Sequence, residues 1–455
     1  METNVNKELV TQAGDIDLQE VVIIRSNGEE VNLVAGFIGE LNLFEDIYRG
    51  GLYGNLLVMD AINLAQAITI TGDEFIRLKL TTPSKDQKFL IHKTFKIYSI
   101  TDRIMLGDTG KQSYIMHFTS PEVFIDALSP IYKTFKYNSI STLANQVFKY
   151  MSVSRNGNDA PTKFNIIGET ANNMQFTSPG WRPMKILNWL ASKALGAGYK
   201  NPGYLFYESN KAFYFANIEQ LIDTAIKTKT IYNEYNYMAN NITDSDSQST
   251  YAVDLNSQYR KAIDLRVIET FNGLKNTQTG FLANRLYTFD VVRKTHNVTD
   301  YDHIDSWNDY KHLGQIQGRA EPLVATGNSS DGSGAIRSPI GFNQVYMQHD
   351  QLYTGVKNNA VDNVEKILPQ RTSTLAELNN FKIELTVPGR TDIEVGYVVL
   401  LHYPDASPRN ERDKNLYKDD ELYSGYYLVT AIRHKITYTR HVMVLELVKD
   451  SFTRI

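Results

Sequence analysis

With 455 residues, 42% of them hydrophobic and 22% charged, the chain has a globular composition and room for roughly two to four domains, which excludes wholesale disorder and collagen-like structure. Its lack of cysteine excludes disulfides, thiolate nucleophiles and cysteine-ligated zinc, and a net charge of −4 argues against a nucleic-acid coat or a membrane-surface protein. There is no basic-then-apolar leader at the start and no run of about 18 uninterrupted apolar residues, so the expectation is cytoplasmic assembly without membrane insertion. The 28 Tyr and 20 Phe against 3 Trp suit a strand-rich protein with large, half-wet contacts, because tyrosine joins apolar area to a polar tip.

In chain order, Val21 to Arg25 and Val31 to Val34 flank Asn27-Gly28, the strongest two-residue hairpin signal. Asn55 to Met59 is a further strand. From Phe75 to Leu80 the pattern alternates, with Ile76, Leu78 and Leu80 on one face and Arg77 and Lys79 on the other. Thr94 to Ile104 and Gln112 to Thr119 flank the turn Gly107 to Gly110. These make about six strands over 18–125, enough to close a small antiparallel barrel.

Over 126–225 the period changes to helical. Ile140, Leu143, Val147 and Phe148 mark a helix over Ile140 to Met151, and Ser178-Pro179 reads as the capped start of a second carrying Ile186, Leu187 and Leu190. Tyr204 to Tyr207 and Ala212 to Phe215 then form a hairpin, completing an α+β middle domain. Strands return at Ile263 to Thr270 and Leu282 to Val292 around a second hairpin signal, Asn272-Gly273. Residues 226–295 and 379–452 are assigned to a second barrel. The segment 296–378 is a mixed insertion containing a Gly/Ser-rich loop at 327–334 and a helix, Ala360 to Leu378, interrupted by Pro369. Phe381 to Val387, a Pro388-Gly389 turn, Val395 to His402 and a hairpin of Tyr426 to Ile436 with Val442 to Val448 complete the second barrel.

An internal repeat supports this division. Phe95 to Ile104 lies over Tyr427 to Ile436, matching Ile97 to Val429, Ile100 to Ile432 and Ile104 to Ile436. After a shorter turn in the second copy, Tyr114 to Phe118 lies over Met443 to Leu447. Each final hairpin follows a strand, a turn ending in glycine (Gly72, Gly396), an apolar strand and a proline (Pro83, Pro404), and each copy opens on an Asn-Gly pair. The expected fold class is therefore α+β, mainly β: two similar antiparallel β-barrel domains, an α+β domain between them and a mixed insertion in the second. A trimer of such chains places six like units around a ring, presenting near-sixfold symmetry on a threefold assembly.

Signatures of catalysis are missing. There is no P-loop, nucleophile elbow, HExxH or strand-linked dinucleotide glycine motif. Asp300-Tyr301-Asp302-His303-Ile304-Asp305 could line a hard-metal site, but it lacks the glycine and distal glutamate of a calcium loop and reads as a solvated acidic turn. His402, His434 and His441 lie in or beside the last strands and read as satisfied, half-buried residues. Glu208, Glu219 and Asp223 could be imagined as glycosidase carboxylates, yet nothing fixes their separation. Trp181, Trp189 and the aromatics of Tyr204 to Phe215 could make a sugar platform, although their spacing suits a small core. No catalytic, cofactor-binding or metal-ligating residue is assigned, and the chain is read as not an enzyme.

Several segments resemble the baseplate hub proteins of contractile-tailed phages. They are Gly39 to Tyr48 leading into Asn55 to Asp60, Trp181-Arg182-Pro183 through Asn188 to Ala191 with Gly203 to Glu208, Val387-Pro388-Gly389 with Ile393 and Gly396, and the ending Ser424 to Thr430 through Leu445 to Asp450. The resemblance covers roughly residues 20 to 452 and extends to the hub part of type VI secretion spikes and phage late-control proteins. It implies two tube-type β-barrels in a homotrimeric ring that adapts the hexameric tail tube to the central spike and touches other baseplate proteins. DNA and the tape-measure protein would pass through its lumen, in a virion tail baseplate assembled in the host cytoplasm, with no cofactor. The alternatives are a tail-associated cell-wall-degrading enzyme, a carbohydrate-binding tail protein, or the hub of a secretion or bacteriocin machine. A lumen wall without excess positive charge is expected, because a basic wall would trap phosphate by counterion release.

Overall fold

The computed structural model describes residues 13–33, 36–67, 70–82, 90–107, 111–152, 162–228, 233–237, 255–291, 294–314, 342–348, 364–405 and 419–451. The expected loop at 327–334, the turn positions Asp108 to Gly110, Pro83, Val34, Val292 and the Ala360 to Asn363 start of the expected helix lie outside these residues.

The first strand-rich region comprises β1 (Asp17–Ile24), β2 (Glu30–Asn32), β3 (Ile38–Asp46), β4 (Tyr53–Asp60), the short α1 (Leu64–Ala67), β5 (Phe75–Thr81), β6 (Leu90–Leu106) and β7 (Lys111–Thr119). β1 and β2 form the hairpin signalled by Asn27-Gly28: Gly28 has φ +84° and its amide donates to the Arg25 carbonyl at 2.9 Å. β5 buries Ile76, Leu78 and Leu80 completely, as its alternation requires.

The middle region holds α2 (Pro121–Leu128), β8 (Ile131–Ser139), α3 (Ile140–Phe148), β9 (Phe164–Ile167), β10 (Asn173–Trp181), α4 (Pro183–Lys193), β11 (Tyr204–Glu208), β12 (Phe213–Asn217) and α5 (Ile218–Lys227). Ser139 caps α3, its side chain accepting from the Thr142 amide. The expected cap at Ser178 is not one. Ser178 and Pro179 lie within β10, and α4 starts at Pro183, whose fixed φ and missing N–H suit the first helical turn.

The remaining elements are β13 (Glu234–Asn236), α6 (Leu255–Arg260), β14 (Asp264–Glu269), α7 (Gly273–Gln278), β15 (Ala283–Asp290), β16 (Thr295–Asp302), α8 (His303–Ser306), a 3-10 turn (Trp307–Asp309), β17 (Asn343–Gln348), α9 (Val364–Glu377), β18 (Phe381–Pro388), β19 (Val398–His402), β20 (Gly425–Ile436) and β21 (His441–Lys449). Two expectations are corrected here. Asn272-Gly273 is no hairpin turn: Asn272, at φ −141°, caps α7 by accepting from the Lys275 amide, and β14 pairs with β18. Nor does Pro369 interrupt its helix. α9 runs through it, with Pro369 buried and its carbonyl accepting from the Asn284 side-chain amide at 3.0 Å.

The fold is mainly β. A 13-stranded sheet runs β14-β18-β21-β20-β3-β4-β7-β6-β5-β1-β2, with β19 beside β20 and β13 beside β19. Two separate barrels were expected, whereas both strand-rich regions share this one sheet, whose pairing does not close on itself among the described residues. The join is β20. Its first half pairs with β19 (Leu428 opposite Val398) and its second with β3 (Arg433 opposite Phe44), and the register shifts between Val429 and Ala431. At that bulge the Thr430 carbonyl accepts from the Ile47 amide at 2.9 Å.

The repeat survives in this shared sheet. The order β3-β4-β7-β6-β5-β1 reappears as β14-β18-β21-β20-β19-β13, strand for strand and in the same chain order. It extends to single bonds. The Ile97 amide donates to the Glu74 carbonyl (3.1 Å), and the matched Val429 amide donates to the Tyr397 carbonyl (2.8 Å). Gly72 and Gly396, the paired turn glycines, have φ of +101° and +89°, backbone that only glycine adopts without strain.

Three buried clusters hold the molecule together. The first copy's core collects Val21, Leu56, Ile76 and Met116, and takes in Ile436 from β20. The second copy's core collects Ile383, Leu428, Ile432 and Leu445, and takes in Ile47 from just beyond β3 together with Tyr207, Ala216 and Ile222 of the middle region. β11 is buried on both faces: Leu205 and Tyr207 meet the second core, and Tyr204 and Phe206 meet the third. Each such side chain contributes about 1.5–3 kcal/mol of burial, so the middle region is bound to the second copy through its strands.

Candidate assembly surface

One face of the large sheet covers the cores and the other is half wet, as alternation in β18 and β21 produces. On the wet face, cross-strand neighbours run Arg266–Glu384–Glu446–Ala431–Asp46 and Val444–Arg433–Phe44–Tyr53. Arg49, Arg266, Lys382, Arg433 and Lys435 are interspersed with the acids Glu40, Asp46, Glu384 and Glu446. Lys382 reaches Glu446 (3.2 Å), Lys435 reaches Glu40 (3.1 Å), and Arg433 donates to Asn42 (2.9 Å). Partial burial would raise the Glu40 carboxyl, but hydrogen bonds from Asn42 and Lys435 hold it below the usual range. Phe44, Arg49, Tyr53, Ile268, Arg433 and Glu446 line a cleft of about 570 Å³ on this face. The surface spans both copies and mixes charges of both signs, pairing bases with acids in place of a single-sign basic patch.

The ends of the wet face are open. β14 pairs with β18 on one side, and the distal half of β6, beyond Ile97, pairs with β7 on one side; among the described residues nothing pairs with their other edges. Both edges carry exposed hydrophobics among charged residues. Ile263 just before β14 and Ile268 within it are exposed, followed by Phe271 and Leu274, and Ile104, Met105 and Leu106 are exposed on β6. Open edges with exposed hydrophobics template pairing with another chain.

The sequence candidates for chemistry do not converge. Asp300 forms a two-pronged pair with Arg285 (2.6 and 2.8 Å), and Asp302 caps α8 through the Ile304 amide. Glu208 accepts from the Leu52 amide (2.8 Å), Ser120 (2.5 Å) and Lys93 (2.7 Å), tying β11 to the first copy. Glu219 accepts from the Asn201 and Lys311 amides (3.0 and 3.1 Å); burial pushes its carboxyl up against these bonds. Asp223 holds Tyr199 (2.8 Å) and Lys227 (2.6 Å). Trp181 and Trp189 pack edge to face at 5.6 Å against the third core.

The histidines separate. His402 meets Asp419 at 2.9 Å. His434 and His441, expected to be half-buried, are fully buried in a chain across the seam: His434 Nε2 lies 3.1 Å from Glu45 Oε1, and His434 Nδ1 lies 3.1 Å from His441 Nε2. His441 Nδ1 has no partner, and burial, then His434, push its pKa well below the usual histidine value. Gly389 gives this ring its room, since a Cβ there would stand 2.0 Å from His441 Cγ. Sequence reasoning missed a further cluster, His312 with Glu377 and Asp450, whose members no spacing rule connects. No helix among the described residues is long and apolar enough to cross a membrane.

No family model matches the chain. It is 20% identical over 421 residues to the probable baseplate hub protein gp334 of Vibrio phage KVP40, covering 92% of this chain and 91% of that protein. Among solved structures, the 43 kDa tail protein of prophage MuSo2 from Shewanella oneidensis superposes with a TM-score of 0.49 at 11% identity, covering 96% of this chain and all of that one. The tail protein of Neisseria meningitidis MC58 also gives 0.49, at 10% identity over 95% and 97% of the two chains. The resemblance carried by β3, α4 and the closing hairpin is thus matched along nearly the whole sequence: the chain is similar to a phage baseplate hub protein.

Proposed function

We propose that the protein is the structural baseplate hub of a contractile phage tail, a homotrimeric ring that joins the hexameric tail tube to the central spike within the virion. The reading rests on one observation: a strand order present twice, fused side by side into a sheet that is open at both ends. Head-to-tail pairing of β14 in one copy with the distal half of β6 in the next is a heterologous contact that closes into a ring. Each copy brings the eight strands β14-β18-β21-β20-β3-β4-β7-β6, so three copies bring twenty-four, in six like groups of four. Tube-type barrels in the hub sense are then units completed by the neighbouring copy.

The wet face becomes the lumen wall in this arrangement. Its interspersed charges of both signs let DNA and the tape-measure protein pass without retention. Similarity to a baseplate hub protein supports the role, and two of the carboxylates considered for catalysis, Glu208 and Glu219, serve as clamps on backbone amides. Light scattering on the purified chain, with and without its spike protein, tests the reading. Three times the chain mass is expected; a monomer at high concentration with spike present overturns it.

A further inference from the structure

The buried cluster that the assembly reading leaves unused lies where the insertion meets the last strand. His312 Nδ1 is 3.1 Å from Asp450 Oδ2 and 4.0 Å from Glu377 Oε1, and the ligand atoms of all three residues lie within 4.8 Å of one another. His303 Nε2 is 3.3 Å from the same Glu377 oxygen. Tetrahedral coordination with zinc–ligand bonds near 2.0–2.1 Å separates neighbouring donor atoms by about 3.3 Å, so the 3.1 and 3.3 Å contacts already have the spacing of a shared central cation and the 4.0 Å one closes on binding.

The orientation of the rings points the same way. His312 Nε2 is 3.0 Å from the Trp307 carbonyl, which can only accept, so that nitrogen donates; Nδ1, 3.1 Å from Asp450 Oδ2, donates to the carboxylate and offers its lone pair to a cation that displaces this proton. The Trp307 ring stacks on His312 at 3.4 Å and fixes its plane. Ser373 donates its hydroxyl hydrogen to the Phe281 carbonyl (2.7 Å), so its oxygen accepts from His303 Nδ1 (3.2 Å), and the lone pair of His303 Nε2 faces Glu377. Both rings thus donate their second N–H to an oxygen, as metal-ligating histidines do. Inside the cluster Glu377 Oε1 and His303 Nε2 are buried without a hydrogen-bond partner, two facing lone pairs in a residue 5% exposed and one 3% exposed. Such a pairing is costly unless a proton or a metal cation stands between them.

We propose that His312, Glu377 and Asp450, with His303 alongside, bind one divalent first-row transition-metal ion, zinc being the best fit to this nitrogen and oxygen donor set. The ion would staple α8 and the turn after it to the end of α9 and to the residue that follows β21, elements far apart in the chain. Its role is structural, because the donors are buried and the site joins the insertion to the second copy.

The test uses the full-length protein, stripped with a chelator and then given Zn²⁺ alone. One zinc per chain by elemental analysis after gel filtration is expected, with a chelator-reversible rise in Tm of about 3–5 °C at zinc about 100-fold above its Kd. Glu377→Gln keeps the side-chain shape and removes the charge, and should lower zinc affinity more than tenfold. Ser373→Ala leaves every ligand in place but frees His303, and should cost about 10–100-fold in affinity. Should His312→Ala fail to fold, these two variants still decide the matter. Absence of zinc binding by folded wild type, or equal binding by wild type and Glu377→Gln, overturns the proposal.

Discussion

In the first copy, β3 passes to β4 through the short connection 47–52, whereas the matched strands β14 and β18 are separated by 270–380, a segment holding α7, a three-stranded sheet and α9. The neighbouring strand differs as well: β1 runs antiparallel to β5, but its counterpart β13 runs parallel to β19. Strand order nevertheless persists. Loop-closure entropy grows only with the logarithm of length, so even an unstructured lengthening on this scale costs about 2–3 kcal/mol, less than a few buried side chains return. The sheet sets the architecture, and its connections are free to acquire other duties.

The largest effects are expected in the two cores. Met116→Ala and Leu445→Ala, at matched and fully buried positions, should each cost about 2–5 kcal/mol in urea unfolding. Because β20 stitches the copies together, both should shift one cooperative transition; two transitions, each answering to one substitution, would mean independent halves. The paired glycines come next. Gly72→Ala faces open space and should cost only backbone strain, about 1–3 kcal/mol, while Gly396→Ala should cost more, since its Cβ would stand 2.5 Å from the Tyr207 hydroxyl.

Acid should separate the copies further. The positions matched to His434 and His441 are Asp102 and Gln112, so the buried imidazole pair belongs to the second copy alone. His441 is held neutral in the fold by a lowered pKa, and the unfolded chain binds the extra proton below about pH 6.5; stability should therefore fall as pH drops through that value, by at most about 1.4 kcal/mol per pH unit. His441→Gln should flatten this slope in denaturation at pH 5 to 7. The smallest effect on monomer stability, within about 0.5 kcal/mol, is expected for Ile268→Lys and Ile104→Lys on the two open edges. Either should nonetheless abolish the proposed trimer in light scattering.

Much of the second copy was readable because alternation is local: β18, β20 and β21 fall where Phe381 to Val387, Tyr426 to Ile436 and Val442 to Val448 place them. The repeat was readable for the same reason, down to glycines whose φ the turns demand. Errors arose where one residue type serves two geometries. Asn before Gly builds a hairpin at Asn27 and a helix cap at Asn272, and Ser178 precedes a helix without capping it. What alternation cannot report is partnership: nothing in β3 or β20 announces that they pair, so one shared sheet read as two barrels. The His312, Glu377 and Asp450 cluster stayed hidden too, since its members meet only in the folded chain.

The hydrogen bond from Arg433 to Asn42 across the β20–β3 seam joins residues 391 apart in sequence. At a synthesis rate of about 5–20 residues per second, β3 leaves the ribosome roughly 20–80 s before its partner exists. During that interval its edge is a site for stray strand addition between nascent chains on one message. A slow-translated stretch placed between the two strands should therefore lower the yield of folded protein without altering a single contact of the finished molecule.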